Sequence, residues 1–179
     1  MKAIFGRLRR ILYISFFVAV MSFVLPWSSS AFGRTVEGVV THVTDGDTLW
    51  VRAADHKELK IRLYGIDAPE TRHREKPGQP FGRQASTALR SKVQAKHVSV
   101  EVRDIDRYGR LVGIVRLNGR DINLEMVNEG WAWAYRAYLE RPYASEYIEA
   151  EKKARADKSG LWKQSNPQPP WEFRRLIQD

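Results

Sequence analysis

Between residues 36 and 117 the chain carries five short β-branched and apolar runs, and their spacing restricts what it can fold into. Val36 to Val43 is the first run, broken by the turn signal Asp45-Gly46, and Thr48 to Arg52 is the second. In the third, Leu59, Ile61 and Leu63 alternate with Lys60, Arg62 and Tyr64, the period of a strand with one face buried. Arg62 therefore lies on the face opposite Ile61 and Leu63 and projects away from the core they build. Val98, Val100 and Val102 alternate with Ser99, Glu101 and Arg103 as a fourth strand. Leu111 to Leu117 is a more buried fifth, closed by Asn118-Gly119. Between the third and fourth runs, Phe81, Ala85, Ala88, Leu89 and Val93 recur at helical spacing and predict an amphipathic helix over residues 81–95. Five short strands with a helix after the third predict a small Greek-key barrel of the OB type. Ile122, Leu124, Val127 and Trp131 mark a short helix ending near Gly130, and Ala144 to Lys158 marks a longer one stopped by Gly160. The expected class is a β-barrel with helices (α+β), a five-stranded OB-fold barrel with three α-helices.

The first residues read differently. Lys2, Arg7, Arg9 and Arg10 form a positive segment, Ile11 to Leu25 is apolar apart from Ser15 and Ser22, and Ser28-Ser29-Ser30-Ala31 supplies a small-residue cleavage pattern. That is the layout of a secretory signal peptide over residues 1–31, which implies a secreted or periplasmic protein. The alternative is a membrane anchor formed by the uncleaved segment, but the apolar run falls short of the ~20 residues a spanning helix needs. Residues 32–163 would then form the OB-fold domain, and residues 164–179 a Pro-rich C-terminal tail with Trp171 and Phe173 beyond the prolines. The chain has no cysteine, so disulfides and Cys-ligated zinc are excluded. Its 30 Lys and Arg against 21 Asp and Glu give a net charge of +9. Setting aside the four bases of the leader leaves 26 against 21, a balance that favours a polyanionic partner.

Three polar clusters interrupt the apolar pattern. Asp45-Gly46-Asp47-Thr48 is by itself an ordinary hairpin turn, and it lacks the spaced acids of an EF-hand loop. Arg62 to Glu70, RLYGIDAPE, places a cation on a strand, a carboxylate at Asp67 and another at Glu70, with Pro69 stiffening the backbone between them. Asp106-Arg107-Tyr108-Gly109-Arg110 is a loop whose arginines and tyrosine suit phosphate and base contacts. Each also reads as a solvated turn or strand end. Together they supply hard oxygen ligands for a cation such as Ca2+, a carboxylate to deprotonate water, and arginine donors for charge growing on phosphorus.

DGDT, RLYGIDAPET and DRYGR, in that order around five strands, resemble the staphylococcal nuclease (thermonuclease) family, from about Val36 to Trp162. The resemblance implies an OB-fold barrel with three helices and a calcium-dependent endonuclease hydrolysing DNA and/or RNA. Asp47 and Asp67 correspond to the calcium-ligating carboxylates, Ala68 to a backbone-carbonyl ligand, and Asp45 to a nearby outer-shell acid. Arg62, Glu70 and Arg110 correspond to the catalytic set, Glu70 as general base and the two arginines as transition-state donors. Tyr108 and Tyr135 correspond to tyrosines beside the bound nucleotide, and Arg107 joins them as a substrate contact. No stable protein partner is implied, and a monomer is expected.

Other chemistry finds little support. His42, His56, His73 and His97 have no metal-binding spacing, and no nucleophile elbow or Walker loop occurs. A non-enzymatic OB module that binds single strands would not need the catalytic set. A secreted calcium-binding domain would leave Arg62 and Arg110 without a role.

Overall fold

The computed structural model describes residues 33–72 and 77–177. The signal segment expected over residues 1–31 lies outside them. No helix among the described residues is long and apolar enough to cross a membrane.

The expected strands are all present. Strand β1 (Thr35–Asp45) pairs antiparallel with β2 (Thr48–Ala53), and β2 with β3 (Glu58–Leu63). On its other side β1 pairs with β5 (His97–Ile105), which pairs with β6 (Leu111–Leu117). The barrel closes where β3 and β6 run parallel, with Ile61 opposite Leu111 and Leu63 opposite Gly113. A short β4 (Ile66–Asp67) follows β3, and β7 (Arg120–Asp121) follows the Asn118-Gly119 turn. Both turn residues adopt positive φ, 52° and 79°, as a tight hairpin turn of this kind requires. Strand β8 (Trp133–Ala134) pairs with β4.

Alternation alone does not account for β1. Val36 and Val40 share the inner face, but Val43 is also fully buried. A bulge resolves the phase: Val40 pairs with Val51 and His42 with Trp50, so Thr41 is the extra residue. Its hydroxyl donates to Glu58 Oε2 at 2.8 Å on the outside.

Helix α1 (Gly82–Val93) lays Ala85, Leu89 and Val93 on the barrel. Helix α2 (Ile122–Asn128) starts at Asp121, whose carboxylate accepts the Leu124 N–H at 2.9 Å, and buries Ile122, Met126 and Val127. Helix α3 (Tyr143–Ala156) sends Tyr147 into the core, with its hydroxyl on the Asp121 carboxylate. A fourth helix, α4 (Pro170–Leu176), stands where the sequence predicted only a Pro-rich tail, so the α-helices among the described residues number four rather than three. The prolines that marked the tail as irregular start this helix: Pro169 is extended, and Pro170 occupies the first turn, where a missing N–H costs nothing.

Asn123 of α2, fully buried, stitches the barrel closure. Its Oδ1 accepts the Val115 N–H at 3.0 Å, and its Nδ2 donates to the carbonyls of Tyr64 and Gly113 at 3.0 and 3.1 Å. Asn123→Ala takes this partner from the Val115 N–H and the Tyr64 carbonyl, while the Gly113 carbonyl keeps the Tyr64 N–H at 2.8 Å, and the loss is expected to cost about 2 kcal/mol. Urea denaturation measures this, and a loss under about 1 kcal/mol would mean that the closure does not depend on Asn123.

Candidate active site

The site forms at one end of the barrel because register brings three chain segments together. Thr48 opens β2 directly opposite Arg62 of β3, so Asp47, one residue earlier, meets the Arg62 guanidinium. The Leu63 N–H donates to the Asp47 carbonyl at 2.8 Å and fixes that turn against β3. The chain then turns through Tyr64-Gly65 into β4, which carries Asp67 back beneath Arg62. Arg62 Nη2 donates to Asp67 Oδ1 at 2.7 Å and to the Ile66 carbonyl at 3.2 Å.

Asp47 is almost wholly buried. Burial pushes its carboxyl up, but the adjoining Arg62, the Ala68 N–H at 2.8 Å and the Thr48 hydroxyl at 2.9 Å outweigh burial and hold it below the ordinary carboxylate range. Asp67 is 0% exposed. For Arg62 burial works against the charge, and the two carboxylates overcome it, so the guanidinium stays protonated.

Pro69 carries the chain on to Glu70, whose N–H donates to Gln79 Oε1 at 3.0 Å while its carbonyl accepts the Gln79 N–H at 2.8 Å. Helix α1 begins so close to this loop that a Cβ on Gly82 would come within 2.1 Å of the Glu70 carbonyl oxygen. At Gly46 a Cβ would fall 2.7 Å from those of Ala68 and Ala85. Glycine at these two points lets α1, the DGDT turn and the Glu70 loop share one small volume.

Arg174 of α4 also enters the cluster, a residue the sequence reading did not single out. Its Nη1 meets Glu70 Oε1 at 2.6 Å, and its Nη2 meets Asp67 Oδ2 at 2.7 Å. The sequence signal was the Pro-Pro-Trp start of a short helix with Arg174 and Arg175 in its last turn. Burial raises the Glu70 carboxyl, Arg174 lowers it, Asp47 and Asp67 raise it again, and the balance lies above the ordinary value. Asp45 accepts the N–H groups of Gly46 and Thr71 at 3.1 and 3.2 Å. Burial, followed by repulsion from Asp47 and Glu70, pushes it up to about 7.

The carboxylates of Asp45, Asp47, Asp67 and Glu70 thus lie close together, and the guanidiniums of Arg62 and Arg174 are among the groups that meet them. Among the described residues no three acidic or imidazole side chains converge closely enough to cage an ion alone. The donor set of Asp47, Asp67 and the Ala68 carbonyl fits an oxygen-seeking cation whose remaining positions belong to water or substrate.

The third cluster stands apart. Asp106 organises its turn by accepting the N–H groups of Tyr108 and Arg110, each at 2.9 Å, and Arg110 Nε at 2.6 Å. Among the described residues Arg110 is engaged there and not with Asp47, Asp67 or Glu70. Tyr108 is 69% exposed, with the guanidiniums of Arg107 and Arg110 4.8 and 5.6 Å from its ring. Tyr135 follows β8, and because β8 pairs with β4 it lies beside the acids. Burial first, and then the charge of Asp67, raises its hydroxyl pKa. Its ring stacks in parallel on Trp171 of α4, centroids 5.0 Å apart. Tyr135 and Arg107 line one cavity of about 940 Å³ together with Arg174.

The architecture is a closed OB-type barrel with buried acids and an arginine at one end and a separate, exposed Arg-Tyr turn. Residues 60–164 match the model of the staphylococcal nuclease homologue family, and the chain belongs to that family. It is 38% identical over 147 residues to a micrococcal nuclease of Shigella flexneri, covering 77% of this chain and 80% of the relative. Protein ParB of Escherichia coli is 38% identical over 149 residues, 78% of this chain and 80% of its own. A probable staphylococcal-like nuclease of rice is 44% identical over 119 residues, 66% of this chain. The chain spans about a third of that rice protein's length.

The Asp45 environment has a measurable consequence. Unfolded, this carboxyl ionises near 3.8, whereas folded it holds its proton to about 7. The folded state therefore binds the extra proton, and stability falls as pH rises between those values. With chelator present, Asp45→Asn is expected to raise unfolding free energy by about 4 kcal/mol at pH 8 and to have little effect at pH 4. Urea titrations at the two pH values check this, and equal gains at both would exclude an electrostatic origin.

Proposed function

We propose that the protein is a calcium-dependent endonuclease, exported to the periplasm or the medium, that hydrolyses phosphodiester bonds of DNA or RNA as a monomer. The observation that carries this reading is the convergence of Arg62, Asp47, Asp67 and Glu70 at one end of the barrel, with basic and aromatic side chains beside it. The leader-like residues 1–31 support export.

Asp47, Asp67 and the Ala68 carbonyl would hold the calcium ion, which when bound draws a phosphate oxygen and water into the site and neutralises part of the phosphate charge. Glu70 has the proton affinity of a base, since burial and neighbouring acids raise it above an ordinary carboxylate. It takes the proton of the attacking water once Arg174 has released it. Arg62, permanently charged between Asp47 and Asp67, faces the phosphate and stabilises charge on the non-bridging oxygens. Arg110 supplies a second donor on leaving its Asp106 partner, and the turn that carries it is exposed enough to reach across. Tyr108, Tyr135 and Arg107 bind the nucleotides on either side of the scissile bond.

Incubation of the protein with DNA and with RNA, in calcium or in chelator, tests the reading. Cleavage in calcium alone is expected, and intact substrate there would favour a non-catalytic binding module. Arg62→Ala and Arg110→Ala are each expected to lower the rate at least ~10²-fold, as losing a transition-state donor does. Glu70→Gln should cost ~10²- to 10⁴-fold, and a near-normal rate would mean that water is activated by another group.

With few protein ligands, calcium should bind weakly and bind more tightly when nucleotide is present. Calorimetry with and without a mononucleotide bisphosphate reads this directly. Tight binding that ignores nucleotide would contradict the ligand set.

A further inference from the structure

We infer that the groove between the turn after β8 and helices α3 and α4 is a binding track for a single-stranded stretch of the substrate polynucleotide, leading away from the catalytic acids. The inference rests on the nuclease reading for its substrate class. Its site is built largely by residues beyond that reading, and α4 lies outside residues 60–164 that match the family.

The cavity there measures about 940 Å³, and its lining holds six cations, Arg107, Arg136, Lys152, Arg155, Arg174 and Arg175, against one carboxylate, Glu151. Glu151 is buried and bonds Arg136 and Arg155, each at 3.2 Å, so it sets the direction of two guanidiniums from beneath. Arg155 is fixed a second time, with its guanidinium 4.6 Å from the ring of Trp133 and 3.9 Å from that of Trp162. A flexible surface arginine would lose its freedom on meeting a phosphate. This one has already lost it, which is what a preorganised anion site requires.

The groove also has the aromatic surface that nucleobases need. Trp171 lies parallel to Tyr135, and Trp133 meets Trp171 edge-on at 5.6 Å. Cations along an aromatic wall are the arrangement by which single strands are held without sequence readout, phosphates on one side and bases on the other. The track meets the candidate site through Arg174. Arg174 lines it while touching Glu70 and Asp67, and Arg107 lines it from the turn that carries Arg110. In a duplex the bases are paired and stacked inside the helix and cannot meet an aromatic wall, so the occupant is a single strand.

The test is fluorescence anisotropy with a fluorescein-labelled 12-residue oligothymidylate in EDTA, where nothing is cut. Lys152 and Arg175 are the groove cations to remove, because both lie toward solvent and neither supports the core. In Lys152→Ala/Arg175→Ala the dissociation constant is expected to rise about tenfold. The slope of log K against log salt should fall by about 1.4, two phosphate contacts on a single strand. Lys57→Ala, in the β2–β3 turn away from the groove, is expected to match the wild type. Wild-type affinity and slope in the double variant would overturn the track, as would an equal loss in Lys57→Ala. Cleavage by the wild-type protein in calcium, measured alongside, separates the two readings. Groove-dependent binding without cleavage would refute the nuclease and keep the track, while cleavage with groove-independent binding would do the reverse.

Discussion

Arg62 is the cation that two buried carboxylates share at the end of this barrel. An unpaired buried carboxylate costs several kcal/mol; Asp47 would bear that cost without Arg62, while Asp67 would keep Arg174 alone as its cation. The arrangement depends on strand register, since Thr48 lies opposite Arg62 and a slip of one residue would turn the arginine to the other face. Closure of β3 onto β6 locks that register, and Asn123 locks the closure. A chain of constraints therefore runs from a buried amide in α2 to the charge state of the site.

Asp45 and Glu70 are held where burial and neighbouring acids make ionisation costly. Holding acids in that condition costs the fold stability. Arg174 supplies an internal cation to Asp67 and Glu70, so α4 belongs to the electrostatics of the site as well as to its wall.

Much of this was legible in the sequence, and the exceptions have definable causes. Period-two alternation placed the strands and put Arg62 on the face away from Ile61 and Leu63, because one face of each strand must be apolar. It did not reveal the bulge at Thr41, which shows only as a phase change between Val40 and Val43. Nor could alternation reveal the parallel closure, a contact between strands distant in sequence. Asp47, Asp67 and Glu70 were recognisable as acids near turns, and their convergence became visible only with the register. Arg110 was foreseen beside them, but its own turn holds it on Asp106, a local bond that competes with the distant partner. Helix α4 was hidden by the prolines around it, which in composition read as a break and in position serve as a start. Its two contributions, Trp171 against Tyr135 and Arg174 against the acids, reach back across most of the chain, where no local signal operates.

That reach affects how the molecule is made. Arg174 comes 107 residues after Asp67 and 104 after Glu70. A chain lengthens from its N-terminus, and its early segments can collapse while later ones are still being added. The β-strands and the acids they carry are thus complete well before the cation that meets them exists. Until the final turn of α4 arrives, Asp67 and Glu70 lack the Arg174 counter-charge. A chain without α4 would keep its barrel strands but lack that counter-charge beside Asp67 and Glu70.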